Sequence, residues 1–274
     1  MSAPGPTAAD PAATTDLAAD HALLLAATRA AGALALEFFQ GEVRHWEKRP
    51  GDPVSEADMA VNALLEDRLR GARPGYGWLS EESPDDPARR RRARLWIVDP
   101  IDGTRAFLAG RPEFAVAVAL VDAGGPLSAA VFNSATDEMF EALAGGGARL
   151  NGAPLRVSSR RALAGARLLI SRTETRRADW VRGLDGPRVT AISSMAYKLA
   201  LVAAGRHDAA VTLWGKSEWD IVAGDLLVRE SGGRVGDATG APFTYNAANT
   251  RLPATIAAGP TLFTALVAAL GKGR

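Results

Sequence analysis

Residues Leu95–Phe107 read LWIVDPIDGTRAF: a β-rich apolar run reaches Asp99, then a proline, then Asp102-Gly103-Thr104. Proline lacks the N–H that a continuing strand needs, so the strand ends there with two carboxylates fixed at its tip. A hard cation such as Mg²⁺ takes carboxylate and carbonyl oxygens, with water and phosphate completing the octahedron. Asp99, the Ile101 carbonyl and Asp102 can supply that set. A helix beginning at Gly103 turns its free N–H groups to the same place, which suits a phosphate. In isolation the segment reads equally well as a turn at Asp99 and a helix cap at Asp102.

Upstream, Tyr76–Leu79 is a second short strand candidate, followed by SEES at Ser80–Ser83, which puts Glu81 just beyond it. A helix starts at Ser55, where Ser55 and Asp58 have capping-box spacing and Val61, Leu64, Leu65 and Leu69 form an apolar face. Before it, an apolar helix runs from about Asp16 to Phe39 and stops at Gly41, behind a disordered Ala-, Pro- and Thr-rich tail over residues 1–15. Downstream, Phe114–Val121, Leu127–Phe132 and Glu138–Leu143 form an antiparallel meander, with tight turns at Gly145–Gly147 and Asn151-Gly152. After about Ser158 strands and helices alternate: Arg167–Ile170, Val189–Ile192, a helix over Met195–Ala204, Ala209–Leu213, a helix over Asp220–Ser231, and a last strand and helix over Thr255–Leu270. This divides the chain into an α+β half over residues 16–157 and an α/β half over 158–274.

Composition narrows the chemistry. The 274 residues carry 32 Lys+Arg against 31 Asp+Glu, so no global field marks the chain for DNA or a membrane surface. The absence of Cys excludes disulfides, thiolate metal sites and a cysteine nucleophile. The opening lacks the basic start and apolar run of a signal peptide, and no later stretch reads as an uninterrupted membrane span, so a cytoplasmic location is expected. His21, His45 and His207 lie outside every motif and read as surface or structural. The one dense basic run, ARRRRAR at Ala88–Arg94, has no interleaved aromatics and reads as a solvated loop beside Ser83–Pro87. A non-catalytic RNA- or protein-binding scaffold is the competing use of such a run.

Taken together, DPIDGT (Asp99–Thr104), EES (Glu81–Ser83), KRPGDPVSEAD (Lys48–Asp58) and WDIVAGDLLVRESGG (Trp219–Gly233) resemble the inositol monophosphatase superfamily, in the family's order. The resemblance implies a layered αβαβα sandwich, a homodimer and a small phosphorylated metabolite as substrate. It implies that Glu81, Asp99, the Ile101 carbonyl, Asp102 and Asp220 hold two Mg²⁺ ions, with Asp58 near a third. Thr104, paired with Asp58, would orient the attacking water, the Gly103 and Thr104 amides would hold the phosphate, and Asp220 would also face the substrate.

Two positions bear on which ester is cleaved. Leu213 stands where inositol monophosphatases carry a Glu for inositol hydroxyls. Lys198 stands where 3'(2'),5'-bisphosphate nucleotidases carry a phosphate-binding Lys and inositol monophosphatases an Asp. Ser193 and Ser194 resemble the nucleotidase serines, although their spacing to Lys198 is longer here. The expectation is therefore a nucleotidase of that branch, converting 3'-phosphoadenosine 5'-phosphate to AMP and phosphate, with inositol 1-phosphate and histidinol phosphate as the alternative substrates. Lys198 as a solvated helix residue and Leu213 as a core residue are the readings that would remove this preference.

Overall fold

The computed structural model describes residues 11–175, 179–182 and 186–271, so residues 1–10 of the expected tail lie outside it. Helices α1 (Pro11–Phe39) and α2 (Glu56–Ala72) are joined by a hairpin of β1 (His45–Arg49) and β2 (Asp52–Ser55). Helix α1 thus starts ahead of Asp16, inside the stretch read as tail. Its Leu17–Phe39 portion has a mean hydropathy of 1.6, enough by length and composition to cross a membrane. This corrects the reading by uninterrupted runs, which Asp20, Arg29 and Glu37 break. Here Leu24, Ala27, Ala31 and Ala35 of α1 are fully or almost fully buried in the core, and Asp20 accepts from Arg73, Tyr76 and Arg94.

A seven-stranded sheet follows in chain order: β3 (Gly77–Ser80), β4 (Leu95–Asp102), β5 (Ala115–Asp122), β6 (Gly125–Asn133), β7 (Glu138–Leu143), β8 (Gly147–Leu150) and β9 (Ala153–Pro154). Only β3 and β4 pair in parallel, and short helix α3 (Thr104–Leu108) leaves the end of β4. The expected turns are present, with Gly145, Gly147, Asn151 and Gly152 at positive φ. They lead into β8 and β9, the two strands of this sheet that the sequence reading missed. The second half contains β10 (Arg167–Ser171), α4 (Asp179–Arg182), β11 (Arg188–Ile192), α5 (Met195–Ala203), β12 (Ala209–Thr212), β13 (Lys216–Ser217), α6 (Glu218–Glu230), β14 (Arg234–Gly236), β15 (Arg251–Leu252), β16 (Thr255–Ala258) and α7 (Pro260–Gly271). Five of these strands form a sheet ordered β11-β10-β12-β16-β14, while β13 and β15 make a separate two-stranded ribbon.

Successive side chains of a strand point to opposite faces, and both faces of the seven-stranded and five-stranded sheets are covered. On β4, Trp96 and Val98 pack with α1 and α2, whereas Leu95 and Ile97 join the core formed with α5 and α6. In the five-stranded sheet, Leu169, Ala210 and Ala257 share that central core, while Leu168, Ala209, Val211, Ile256 and Ala258 pack on Leu262, Phe263 and Leu266 of α7. The result is an αβαβα sandwich of five layers, and double-sided burial explains why the strands read as continuous apolar runs. Helices α5 and α6 approach closely at Gly224, where a Cβ would lie 2.4 Å from Leu199 Cβ.

Candidate active site

The end of β4 brings acids together, although the strand does not stop at Pro100 as expected: it pairs on to Asp102 across a register shift between Asp99 and Asp102, which absorbs the missing proline N–H. Oxygens of Asp99, Asp102 and Asp220 lie within 4.8 Å of one another. Asp220 arrives from the first turn of α6, where it forms a capping box with Ser217 and accepts the Ser217 N–H at 2.6 Å. That helix begins at Glu218 rather than at Asp220, because Ser217 is its cap. Asp102 accepts from the Ser194 hydroxyl at 2.7 Å and from the Ala196 amide. Asp99 is 1% exposed, and neither of its oxygens has a hydrogen-bond partner among the described residues.

A buried carboxylate without a donor is strongly disfavoured when ionised. Burial pushes the Asp99 carboxyl well above the usual range, helped by the nearby Glu81, Asp102 and Asp220 charges. Burial, then Asp220, raises Asp102 to about 6. The same two causes, in the same order, raise Glu81 to about 8. An all-oxygen donor set with an orphaned buried carboxylate fits Mg²⁺. Glu81 stands outside the tight triplet and pairs with Lys48, whose Nζ lies 3.0 Å from Glu81 and 2.7 Å from Glu82. Burial alone would lower the Lys48 ammonium, but the two carboxylates outweigh it and hold it above its ordinary value.

The remaining residues named from the sequence occupy defined places. Thr104 Oγ1 lies 3.1 Å from Asp58 Oδ1 and 3.1 Å from the Ile101 carbonyl. Asp58 Oδ2 accepts the Ser55 N–H at 2.8 Å, so the capping box and the contact to Thr104 coexist on one carboxylate. Gly103 has φ +98°, and a Cβ there would meet the Glu113 carbonyl at 2.8 Å, so the turn admits only glycine. Ile101, Asp102, Gly103, Thr104, Glu81, Ser193 and Asp220 all line one cavity of about 1070 Å³.

Ser194 and Lys198 are not on that wall. Ser194 is fully buried as the cap of α5. Lys198 is fully buried too, which excludes the solvated reading, and its Nζ donates to Ser171 Oγ at 2.6 Å and to the Ile192 carbonyl at 3.3 Å. Ser171 lines the cavity, so Lys198 sits directly behind it. Burial, then Lys216, lowers the Lys198 ammonium to about 7. Leu213 packs against the α7-side core and contributes nothing to the cavity wall.

Sequence reasoning missed the cationic wall of the cavity: Lys48, Arg49, Arg105, Arg111, Arg172, Lys216 and Arg251. It also missed Glu174, 3% exposed, whose carboxylate accepts from Thr212 Oγ1, the Leu213 and Trp214 amides and the Ser171 amide, fixing the segment that leads to Lys216. The only sequence signal was that Arg49, Arg105 and Arg111 flank the acidic motifs.

An acid cluster that needs a cation, below a cationic cavity at the strand ends of an αβαβα sandwich, defines a metal-dependent phosphomonoesterase. The chain belongs to the inositol monophosphatase family, whose model matches residues 16–270. It is 39% identical to the inositol-1-monophosphatase of Rhizobium meliloti over 233 residues, covering 80% of this chain and 85% of that one. It is 35% identical to the Nus factor SuhB of Xylella fastidiosa over 229 residues, covering 80% and 82%. The crystal structure of SuhB from Bartonella henselae superposes with a TM-score of 0.81 at 31% identity, covering 92% of this chain and 98% of that one. These relatives carry inositol monophosphatase and SuhB names, so the nucleotidase reading rests on residues of this chain alone.

Proposed function

We propose that the protein hydrolyses a phosphate monoester on a small metabolite bearing a second phosphate, of the 3'-phosphoadenosine 5'-phosphate type, releasing AMP and inorganic phosphate. The observation that carries this reading is the cavity wall, where Arg111, Lys216 and Arg251 add positive charge beyond what one phosphate over the acid cluster needs, while Arg172 is already paired with both oxygens of Glu113. The apolar packing of Leu213 agrees with it, since a polyol substrate is served by an acceptor at that position.

Asp99, Asp102, Asp220, Glu81 and the Ile101 carbonyl would hold two Mg²⁺ ions, with Asp58 beside a third. When bound, the metal supplies an acidified water and neutralises charge on the phosphoryl and leaving oxygens. Thr104, held between Asp58 and the Ile101 carbonyl, orients the attacking water in line with the ester bond and passes its proton toward Asp58. The Gly103 and Thr104 amides hold the phosphoryl oxygens. Lys198 acts through Ser171, and with Ser193 on the wall it receives the second phosphate. Catalysis is then mainly positioning and charge stabilisation.

Inositol 1-phosphate is the second reading, favoured by the names of the relatives. Phosphate release in Mg²⁺ from 3'-phosphoadenosine 5'-phosphate, inositol 1-phosphate and histidinol phosphate, compared by kcat/KM, separates them. A clear preference for the bisphosphate supports the proposal. A preference for inositol 1-phosphate replaces it while keeping the hydrolytic residues.

A further inference from the structure

The basic run Ala88–Arg94 is exposed at Arg90–Ala93, as its composition suggests, but Arg89 departs from that reading. Pro87–Arg91 makes a 3-10 turn capped by Asp86, and Arg89 is 2% exposed. Its guanidinium grips Asp85 with both ends of the fork, Nε to Oδ1 at 2.6 Å and a terminal nitrogen to Oδ2 at 3.1 Å. The rest of the fork reaches across the molecule, donating to Asn246 Oδ1 at 2.6 Å and to the Ala247 carbonyl at 2.9 Å.

That same turn is held from the other side by Glu218. Fully buried, its carboxylate accepts the Asn246 N–H at 2.7 Å and the Ala247 N–H at 2.9 Å. Asn246 takes a left-handed φ of +66°, a conformation that Asn tolerates better than most residues. A continuous polar chain therefore runs Asp85, Arg89, turn 246–247, Glu218. Asp85 closes the loop that carries Glu81, and Glu218 stands in the helical turn that carries Asp220. Glu81 and Asp220 line one cavity, each from one of the two elements that this chain ties together.

We infer that Arg89 is a positioning residue for the metal site: through Asn246, Ala247 and Glu218 it holds the Glu81 loop against the start of α6, setting the gap that a divalent cation spans. This rests on the assignment of Glu81 and Asp220 as ligands. A planar guanidinium suits the task because its fork meets a carboxylate and two further acceptors at fixed angles, which an ammonium does not reproduce.

The test is direct Mn²⁺ binding, by calorimetry and by the loss of the free-ion paramagnetic resonance signal, on the full chain at a temperature where circular dichroism shows each variant folded. Arg89→Met is expected to raise the Mn²⁺ Kd about tenfold or more, with Arg89→Lys recovering little of it. Glu218→Gln replaces one acceptor oxygen with a donor group at nearly constant volume and is expected to weaken Mn²⁺ in the same direction, so the test stands if Arg89→Met fails to fold. The two changes combined should cost less than the product of the single effects, because they cut one chain. Asp208→Asn, which removes the ion pair of a buried carboxylate with the half-exposed Arg167 at the start of β10 in the five-stranded sheet, serves as a stability control and should leave the Kd unchanged. Arg89→Met or Glu218→Gln binding Mn²⁺ as tightly as wild type while melting earlier would show a structural tie only and overturn the inference. Failure of the wild-type protein to bind Mn²⁺ would instead remove the ligand assignment on which it stands.

Discussion

Lys198 occupies a place that the sequence could name but not describe. Its match to a phosphate-binding position implies a cation at the substrate and the competing reading a solvated helix residue, whereas the ammonium is fully buried behind Ser171. Asp102, Glu174 and Asp220 offset part of the cost of burying this cation, and its direct partners are a hydroxyl and a carbonyl, which leaves room for an anionic ligand to favour it further. Lys198→Met is expected to lower kcat/KM for the bisphosphate about 10- to 100-fold, the worth of one or more hydrogen bonds to a charged group. Turnover of a monophosphate ester should change little, and equal losses on both substrates would show that Lys198 supports the fold of the site rather than selectivity. Of the acids, Asp99 and Asp102 could be placed at one strand end from the apolar run itself, whereas Glu81 and Asp220 joined them only through the joint resemblance of four motifs. The cationic wall was not legible, since its members come from segments far apart in the chain.

The elements that carry these residues differ in how plainly the sequence announces them. Helix α2 was readable from its Ser55–Asp58 capping box and apolar stripe, and β4 from its apolar run. The hairpin β1–β2 was not, because HWEKR is exposed along its whole length and shows no alternation. The start of α6 was placed late because Asp220 was read as the first helical residue, when it is the inner member of a capping box. Contact between α5 and α6 depends on Gly224, which the sequence shows only as one small residue in a helix. Gly224→Ala must displace Leu199, and overpacking of this kind costs about 1–3 kcal/mol. Because α6 carries Asp220 and the α5 end carries the donors to Asp102, the same change should also weaken Mg²⁺ dependence, read as a raised Mg²⁺ concentration for half-maximal phosphate release. An unchanged melting temperature would contradict the close packing of the two helices.

At the scale of the molecule, the acid cluster links folding to pH and metal. The Glu81 carboxyl is raised from 4.5 to about 8 and the Asp102 carboxyl from 3.8 to about 6, and burial also holds Asp99 well above its ordinary value. Above their unfolded values these groups still hold protons in the folded chain that the unfolded chain has released, so stability falls as pH rises through that window. His21 and His207, lowered by burial, have the opposite slope near and below 6.5, and Lys198 has it above about 7. The carboxylates outnumber the histidines, so metal-free protein should lose roughly 1 kcal/mol or more between about pH 5 and pH 7, some 2–4 °C in Tm per kcal/mol. Saturating Mg²⁺ should flatten or reverse that slope, because the cation takes the place of the protons. Calorimetric melting in chelator and in Mg²⁺ across this range checks both statements, and a metal-free Tm that rises steadily from pH 5 to 7 would contradict them.

The layered fold, the orphaned Asp99 carboxylate and the family membership converge on a divalent cation held at the end of β4. Its most direct test is phosphate release by wild type and Asp99→Asn, each titrated with Mg²⁺ after chelator treatment, with folding confirmed by circular dichroism. Wild type is expected to be inactive without metal and saturable with it, while Asp99→Asn stays folded and loses at least about a thousandfold in kcat/KM at any Mg²⁺ concentration. Wild-type turnover in folded Asp99→Asn, or full activity of wild type in chelator, would show that the cluster at Asp99, Asp102 and Asp220 is not where hydrolysis occurs.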